Sequence, residues 1–71
     1  MAERIDGYLS NKAQGVDRTA LVVCQESPQN VSGERWVLRR SGTEDLELGD
    51  RFGAARAALL AWLRAERARK P

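Results

Sequence analysis

The chain has 71 residues, of which 42% are hydrophobic; its net charge is +2, and it contains one cysteine and no histidine. A chain of this length forms one small domain, and a lone cysteine excludes a disulfide framework, so that the reducing cytoplasm is the expected compartment. No apolar run approaches the roughly 18 residues of a membrane span and the N-terminus lacks the apolar segment of a signal peptide, so we expect a soluble cytoplasmic protein with no membrane partner.

Residues 1–18 are predicted to form a loosely ordered N-terminal arm. Ile5, Tyr8 and Leu9 fall at helical spacing, but Gly7 interrupts them and the residues that follow are polar. Such a segment offers little apolar surface to bury, so it is not expected to contribute to the core.

A single domain is predicted over residues 19–71, and its first element is a strand. Residues 19–25 are rich in β-branched and apolar residues, which is typical of a strand buried on most of its surface. Cys24 lies in the middle of this strand, where burial disfavours a reactive thiolate. Residues 27–33 combine proline, asparagine, serine and glycine and are predicted to form a loop.

A β-hairpin is predicted over residues 35–48, with a register that follows from its apolar side chains. Setting Leu38 opposite Leu46 also sets Trp36 opposite Leu48, so that both apolar pairs share one face of the sheet. The remaining pairs in this register are Arg39 with Asp45, Val37 with Glu47 and Arg40 with Glu44, around a three-residue loop formed by residues 41–43.

The last predicted element is a helix from Asp50 to about Lys70. Its apolar residues recur with the 3.6-residue period, which places them on the face that covers the sheet. The fold class is therefore α+β, with a three-stranded antiparallel sheet in β-β-β-α order packed against one C-terminal helix. The predicted core consists of Trp36, Leu38, Leu46, Leu48, Phe52, Leu59 and Leu63.

The residue inventory favours a binding protein over an enzyme. Without histidine, the commonest general base and a common metal ligand are both missing. The carboxylates at positions 44, 45 and 47 are interpreted as cross-strand partners of Arg39 and Arg40. No glycine-rich phosphate loop or metal-ligand spacing occurs, so we expect no catalytic residue, metal or small-molecule cofactor.

Residues 35–63 share an order of basic strand, Leu-Gly turn and alanine-rich helix with known DNA-binding domains. The segments that carry this order are Arg35-Trp36-Val37-Leu38-Arg39-Arg40, Leu46-Glu47-Leu48-Gly49, Phe52 and Ala54-Ala55-Arg56-Ala57-Ala58. This stretch resembles the AP2-type and integrase arm-binding-type domains. The resemblance implies a three-stranded sheet backed by a helix, in which Arg35, Val37 and Arg39 match the strand positions that touch DNA.

The first functional hypothesis is therefore a nucleic-acid-binding accessory factor that uses the arginine-bearing face of the sheet. Ten of the twelve basic residues are arginine, whose planar guanidinium suits phosphates and guanine edges. The residues expected to contact DNA or RNA are Arg35, Val37, Arg39, Arg40 and Arg18, helped by the basic C-terminal end.

The second hypothesis is a small protein-binding regulator or inhibitor of the phage or plasmid type. It would dock by an exposed strand edge or by the helix, with a homodimer as one of the assemblies to be tested. The helix carries a heptad-like seam of small residues that would let another helix approach closely, although alanine also recurs simply as the best helix former. The seam consists of Ala54, Ala58, Ala61 and Ala65, and Ala68 continues it with the same alternation of four- and three-residue spacings. The Arg39–Asp45 pairing discriminates between the hypotheses, because a neutralised sheet face is a poor surface for nucleic acid.

Overall fold

A computed structural model describes residues 2–69 as six elements around one antiparallel sheet, whose strand order is β1-β2-β3-β4. The elements are β1 (Glu3–Asp6), α1 (Gly7–Gln14), β2 (Leu21–Glu26), β3 (Glu34–Arg40), β4 (Thr43–Gly49) and α2 (Phe52–Arg69). The predicted α+β class, antiparallel sheet and C-terminal helix are confirmed. The predicted count was wrong, because residues 2–69 form four strands instead of three and two helices instead of one. The predicted helix end near Lys70 and the chain ends Met1 and Pro71 lie outside the described residues.

The additional strand and helix lie in residues 3–14, within the predicted loosely ordered arm 1–18. β1 pairs with β2 along its whole length. The Asp6 side chain accepts a hydrogen bond from the Leu9 N–H at 2.8 Å and caps the start of α1. Leu9 and Ala13 lie one helical turn apart and are fully buried. The segment is therefore ordered because its few apolar side chains enter the core.

Both helices pack on the same face of the sheet and enclose a single core. Among the residues predicted to form that core, Leu46 and Phe52 are instead 38% and 42% exposed. Leu46 lies on the edge strand β4, and Phe52 is the first residue of α2, where its ring meets Trp36 edge-on at 5.7 Å between centroids. The core consists of Leu9, Ala13, Ala20, Val22, Cys24, Trp36, Leu38, Leu48, Ala55, Leu59 and Leu63.

The register of the β3–β4 hairpin agrees with the prediction in the middle and departs from it at both ends. Leu38 pairs with Leu46 and Val37 pairs with Glu47, as predicted. β-Bulges or irregularities interrupt the ladder on either side of this centre, and they shift the pairing of the flanking residues. The corrected pairs are Trp36 with Gly49 instead of Leu48, and Arg40 with Thr43 instead of Glu44.

Two glycines make these connections possible. Gly42 has a φ of 75° in the turn between β3 and β4, which is two residues long because β3 ends at Arg40 and β4 begins at Thr43. Gly49 has a φ of 156°, and a Cβ placed on it would lie 2.9 Å from the Cβ of Ala54. Only glycine therefore allows α2 to approach the end of β4 so closely.

Candidate functional site

The face of the sheet opposite the helices, called here the open face, is covered by no other element within residues 2–69. Val23 and Val37 pair with each other at its centre and are 1% and 0% exposed, although they do not belong to the core under the helices. Arg35 and Arg39 flank Val37 on the same face, because side chains alternate along a strand. We infer that the aliphatic stems of these arginines shield the valines from water.

Arg39 is held between two carboxylates on the open face. Its Nη1 and Nη2 atoms each donate to a carboxylate oxygen of Glu3 at 3.2 Å. Its Nε and Nη2 atoms donate to Asp45 at 3.4 and 3.2 Å, so the predicted Arg39–Asp45 contact is present. These hydrogen bonds, with a further one from Gln25, lower the pKa of Glu3 and in turn raise that of Arg39.

Arg35 extends the same network across the sheet. Its Nε donates to Glu47 at 3.4 Å and its Nη1 donates to the Gln25 side-chain oxygen at 2.9 Å. Gln25 in turn donates to Glu3 at 2.7 Å. The network therefore sets two arginines against three carboxylates, a net charge of −1. A phosphate-binding surface needs an excess of available cations, which this face does not offer.

The remaining residues predicted to contact nucleic acid do not join Arg35 and Arg39. Val37 is fully buried. Arg40 lies on the helix side of the sheet, with its guanidinium 5.9 Å from the centroid of the Trp62 ring and its Nη2 donating to the Glu44 carbonyl oxygen at 3.1 Å. Arg18 is exposed in the connection between α1 and β2, outside the network. The predicted set therefore does not form one surface.

The predicted alanine seam of α2 is interrupted as well. Ala54 lies against Gly49 at the end of β4. Ala58 is half-buried and packs against the core. Ala61, Ala65 and Ala68 remain exposed away from the sheet. These three alanines span a single heptad, which is too short a stripe to form a coiled-coil seam with a second helix.

The other docking surface of the protein-binding hypothesis, an exposed strand edge, is more extensive than the alanine seam. The sequence alone did not indicate which strand forms this edge. β4 pairs only with β3 within residues 2–69, and its first five residues are exposed. Its three carboxylates, Glu44, Asp45 and Glu47, are the available sequence signal, because charged side chains are common on edge strands.

A pocket of about 350 Å³ opens at one end of β1, β2 and β3. Cys24 lines it but is only 5% exposed, and burial raises the pKa of its thiol, which disfavours a nucleophilic thiolate. Glu34, also in the lining, accepts a hydrogen bond from Trp36 Nε1 at 3.2 Å. Within residues 2–69, no three His, Cys, Asp or Glu side chains lie where they could hold a metal ion.

No protein-family model matches the chain, and neither a curated protein sequence nor a solved structure matches it significantly. The resemblance of residues 35–63 to AP2-type and integrase arm-binding-type domains therefore stays a prediction. In the part of the chain that the structure describes, neither helix is long and apolar enough to cross a membrane.

Proposed function

We propose that this chain is a non-enzymatic protein-binding module whose partner adds an extended strand to the free edge of β4. The observation that carries the proposal is the exposure of this edge, which runs over seven residues and pairs only with β3 in residues 2–69. At about 3.3 Å per residue, its five exposed residues offer about 17 Å of backbone edge with unpaired donors and acceptors. The opposite edge, β1, has four residues.

The charges on the open face support a protein partner over DNA or RNA at the sheet. Arg35 and Arg39 would have to leave their carboxylate partners to reach phosphates. The carboxylates would then face the polyanion without compensation, which weakens binding. A strand added beside β4 leaves every one of these ion pairs in place.

The side chains of β4 indicate the chemistry of the partner strand. Asp45 and Glu47 point to the open face, and Leu46 between them points to the helix side and is 38% exposed. A strand laid along β4 places alternate side chains beside these positions, so a basic–apolar–basic order fits best. Two β4 edges pairing with each other would oppose carboxylate to carboxylate, which disfavours a homodimer through this edge.

The absence of enzymatic activity remains part of the proposal and is supported by the reactive groups that are present. The sequence supplies no histidine. Its one cysteine is buried with a raised thiol pKa. Among the carboxylates of the open face, Glu3 has its pKa lowered by hydrogen bonds from Arg39, which makes it unsuited to donating a proton.

Amide hydrogen exchange measured by NMR tests the proposal with two ten-residue peptides, one alternating Arg with Val and the other Glu with Val. We expect the basic peptide to bind and to slow exchange at alternate amides of β4, while the β1 amides stay unchanged. The Glu47→Gln variant should bind the basic peptide about 1.5- to 5-fold more weakly, as expected for an exposed ion pair.

Glu26→Gln is the matched control, because it removes an exposed carboxylate from β2 at the end of the sheet without altering the β4 edge. It should bind the basic peptide like the parent. Binding without protection in β4, or equal binding of the acidic peptide, would mean that β4 is not the docking edge.

A further inference from the structure

The exposed side of α2 carries arginines that have no acidic partner in the described chain. Arg56, Arg64 and Arg67 are exposed, and none forms an ion pair within residues 2–69. Arg69 differs, because its Nη1 lies 3.2 Å from Glu66. At 3.6 residues per turn and 1.5 Å per residue, the three unpaired arginines fall within about 80° of the helix circumference and span about 16 Å.

The charge of the molecule is divided between its two layers. α2 carries four arginines and one glutamate, and α1 adds one lysine, so the helices have a net charge of +4. The four strands carry seven carboxylates and four arginines, a net charge of −3. Both helices lie on the same side of the sheet, so this side is the one that attracts a polyanion.

The side chains of this helix face indicate which class of partner it fits. Around the arginines it exposes small side chains, such as Ala57, Ala61 and Ala68. Leu60 falls between the arginines on the helix circumference, but its side chain is partly buried against the core, as that of Trp62 is. A helix that binds an anionic membrane needs bulky apolar side chains on its exposed face. A tight protein interface needs aromatic or other large anchors. Neither feature is present on this face.

We propose that the exposed face of α2 binds the phosphate backbone of duplex DNA through Arg56, Arg64 and Arg67. The guanidinium fork matches phosphate oxygens, and the small alanines beside it let the DNA approach the helix closely. The major groove of B-form DNA, about 12 Å wide, admits a helix, whereas that of A-form RNA is too deep and narrow. Phosphate contacts carry no sequence information, so the affinity is independent of sequence. This surface is separate from the β4 edge.

Fluorescence anisotropy with a 20-base-pair DNA duplex across a salt series tests this proposal. Each phosphate contact contributes about 0.9 to the slope of log K against log salt, so three contacts give the parent a slope near −3. The triple variant Arg56→Gln, Arg64→Gln and Arg67→Gln should lose nearly all of that slope and bind at least about tenfold more weakly at low salt. Because these side chains are exposed, its melting curve should match that of the parent.

The matched control removes three positive charges outside α2, through Arg4→Gln, Arg18→Gln and Arg51→Gln, all at exposed residues. It has the same net charge as the triple variant and should keep the salt slope of the parent. Three results would overturn the proposal: no binding by the parent at low salt, an equal loss of slope in the control, or equally tight binding to an RNA duplex or to phosphatidylserine vesicles.

Discussion

At the scale of single residues, Arg39 explains why an arginine-rich strand need not be a nucleic-acid surface. Its guanidinium is shared between Glu3 and Asp45, on strands that lie on either side of it in the sheet. Both ion pairs are exposed to solvent, which screens them, so each contributes little to stability. We infer that the greater contribution of Arg39 is to shield the buried pair Val23 and Val37 on a face that no other element covers within residues 2–69. We therefore assign it a structural role.

Glu3 provides a pH-dependent test of this role. Hydrogen bonds from Arg39 lower the pKa of Glu3 in the folded protein below its usual value of 4.5. The Glu3 carboxylate therefore binds a proton less readily in the folded state than in the unfolded state. The Glu3–Arg39 contact stabilises the fold at a pH above the pKa of Glu3 in the unfolded chain, and this stabilisation is lost as the pH falls through the pKa of Glu3 in the folded protein. Glu3→Gln should lower the urea midpoint at pH 7, and its difference from the parent should shrink from about pH 5 downward.

Glu44→Gln is the control for this prediction. Glu44 is exposed on β4, and its backbone carbonyl, rather than its carboxylate, accepts the hydrogen bond from Arg40. The control should keep the urea midpoint of the parent at pH 7. Equal midpoints for Glu3→Gln and Glu44→Gln at that pH would show that the Glu3–Arg39 contact contributes nothing measurable to stability.

At the scale of elements, the hairpin and α2 were predictable because their patterns are long. Leu38 and Leu46 fixed the centre of the β3–β4 register, and the apolar period of α2 identified the helix. β1 was missed because it is a four-residue edge strand with three charged residues. α1 was missed because polar residues surround Leu9 and Ala13, although Asp6, which caps the helix, was an available signal.

These omissions determined which parts of the candidate site could be predicted. The Arg39–Asp45 contact lies within the predicted hairpin, so the sequence was sufficient to find it. The contact with Glu3 could not be found without β1, because Glu3 lies on that strand and precedes Arg39 by 36 residues in the sequence. The irregularity between Leu38 and Arg40 was not visible either, because the flanking residues fit an unbroken ladder equally well.

Two neighbouring residues of α1 test whether this helix is part of the folded domain. Leu9 is fully buried in the core, whereas Tyr8 is 56% exposed. Leu9→Ala should lower the free energy of unfolding by about 2–5 kcal/mol, because it leaves a cavity under α1. Tyr8→Ala should change it by no more than about 0.5 kcal/mol. Urea unfolding measures both, and equal effects would indicate that residues 3–14 are a loosely held arm after all.

The junction between β4 and α2 allows a second test at this scale. Gly49→Ala places a Cβ 2.9 Å from that of Ala54 and strains a backbone with a φ of 156°. We expect it to lower the free energy of unfolding by about 1–3 kcal/mol. Gly53→Ala is the control, because a Cβ there meets nothing within 4 Å and alanine is the better helix former. It should leave stability unchanged or raise it, and a Gly49→Ala variant as stable as this control would show that α2 can move away from β4.

At the scale of the whole molecule, two surfaces of opposite charge share one core. The helices carry the excess of positive charge, and the strands carry the excess of negative charge. The proposed docking edge belongs to β4 and the proposed DNA surface belongs to α2, and these two elements are packed together. Neither surface could therefore be lost by local unfolding without weakening the support of the other.

This arrangement predicts that the protein unfolds in a single transition. Five of the six elements contribute residues to the same core, including Leu9 of α1, Trp36 of β3 and Leu59 of α2. In a Trp62→Phe variant, Trp36 is the sole tryptophan, and its 3% exposure makes its fluorescence a reporter of the core. We expect this fluorescence and the far-ultraviolet circular dichroism, which reports the helices, to change at the same urea concentration, because a small domain with one core unfolds cooperatively. A loss of helical signal at lower urea, while Trp36 stays buried, would show that a helix detaches from the sheet first. In that case α2 would be a separable element, and the two proposed surfaces would no longer depend on one folded core.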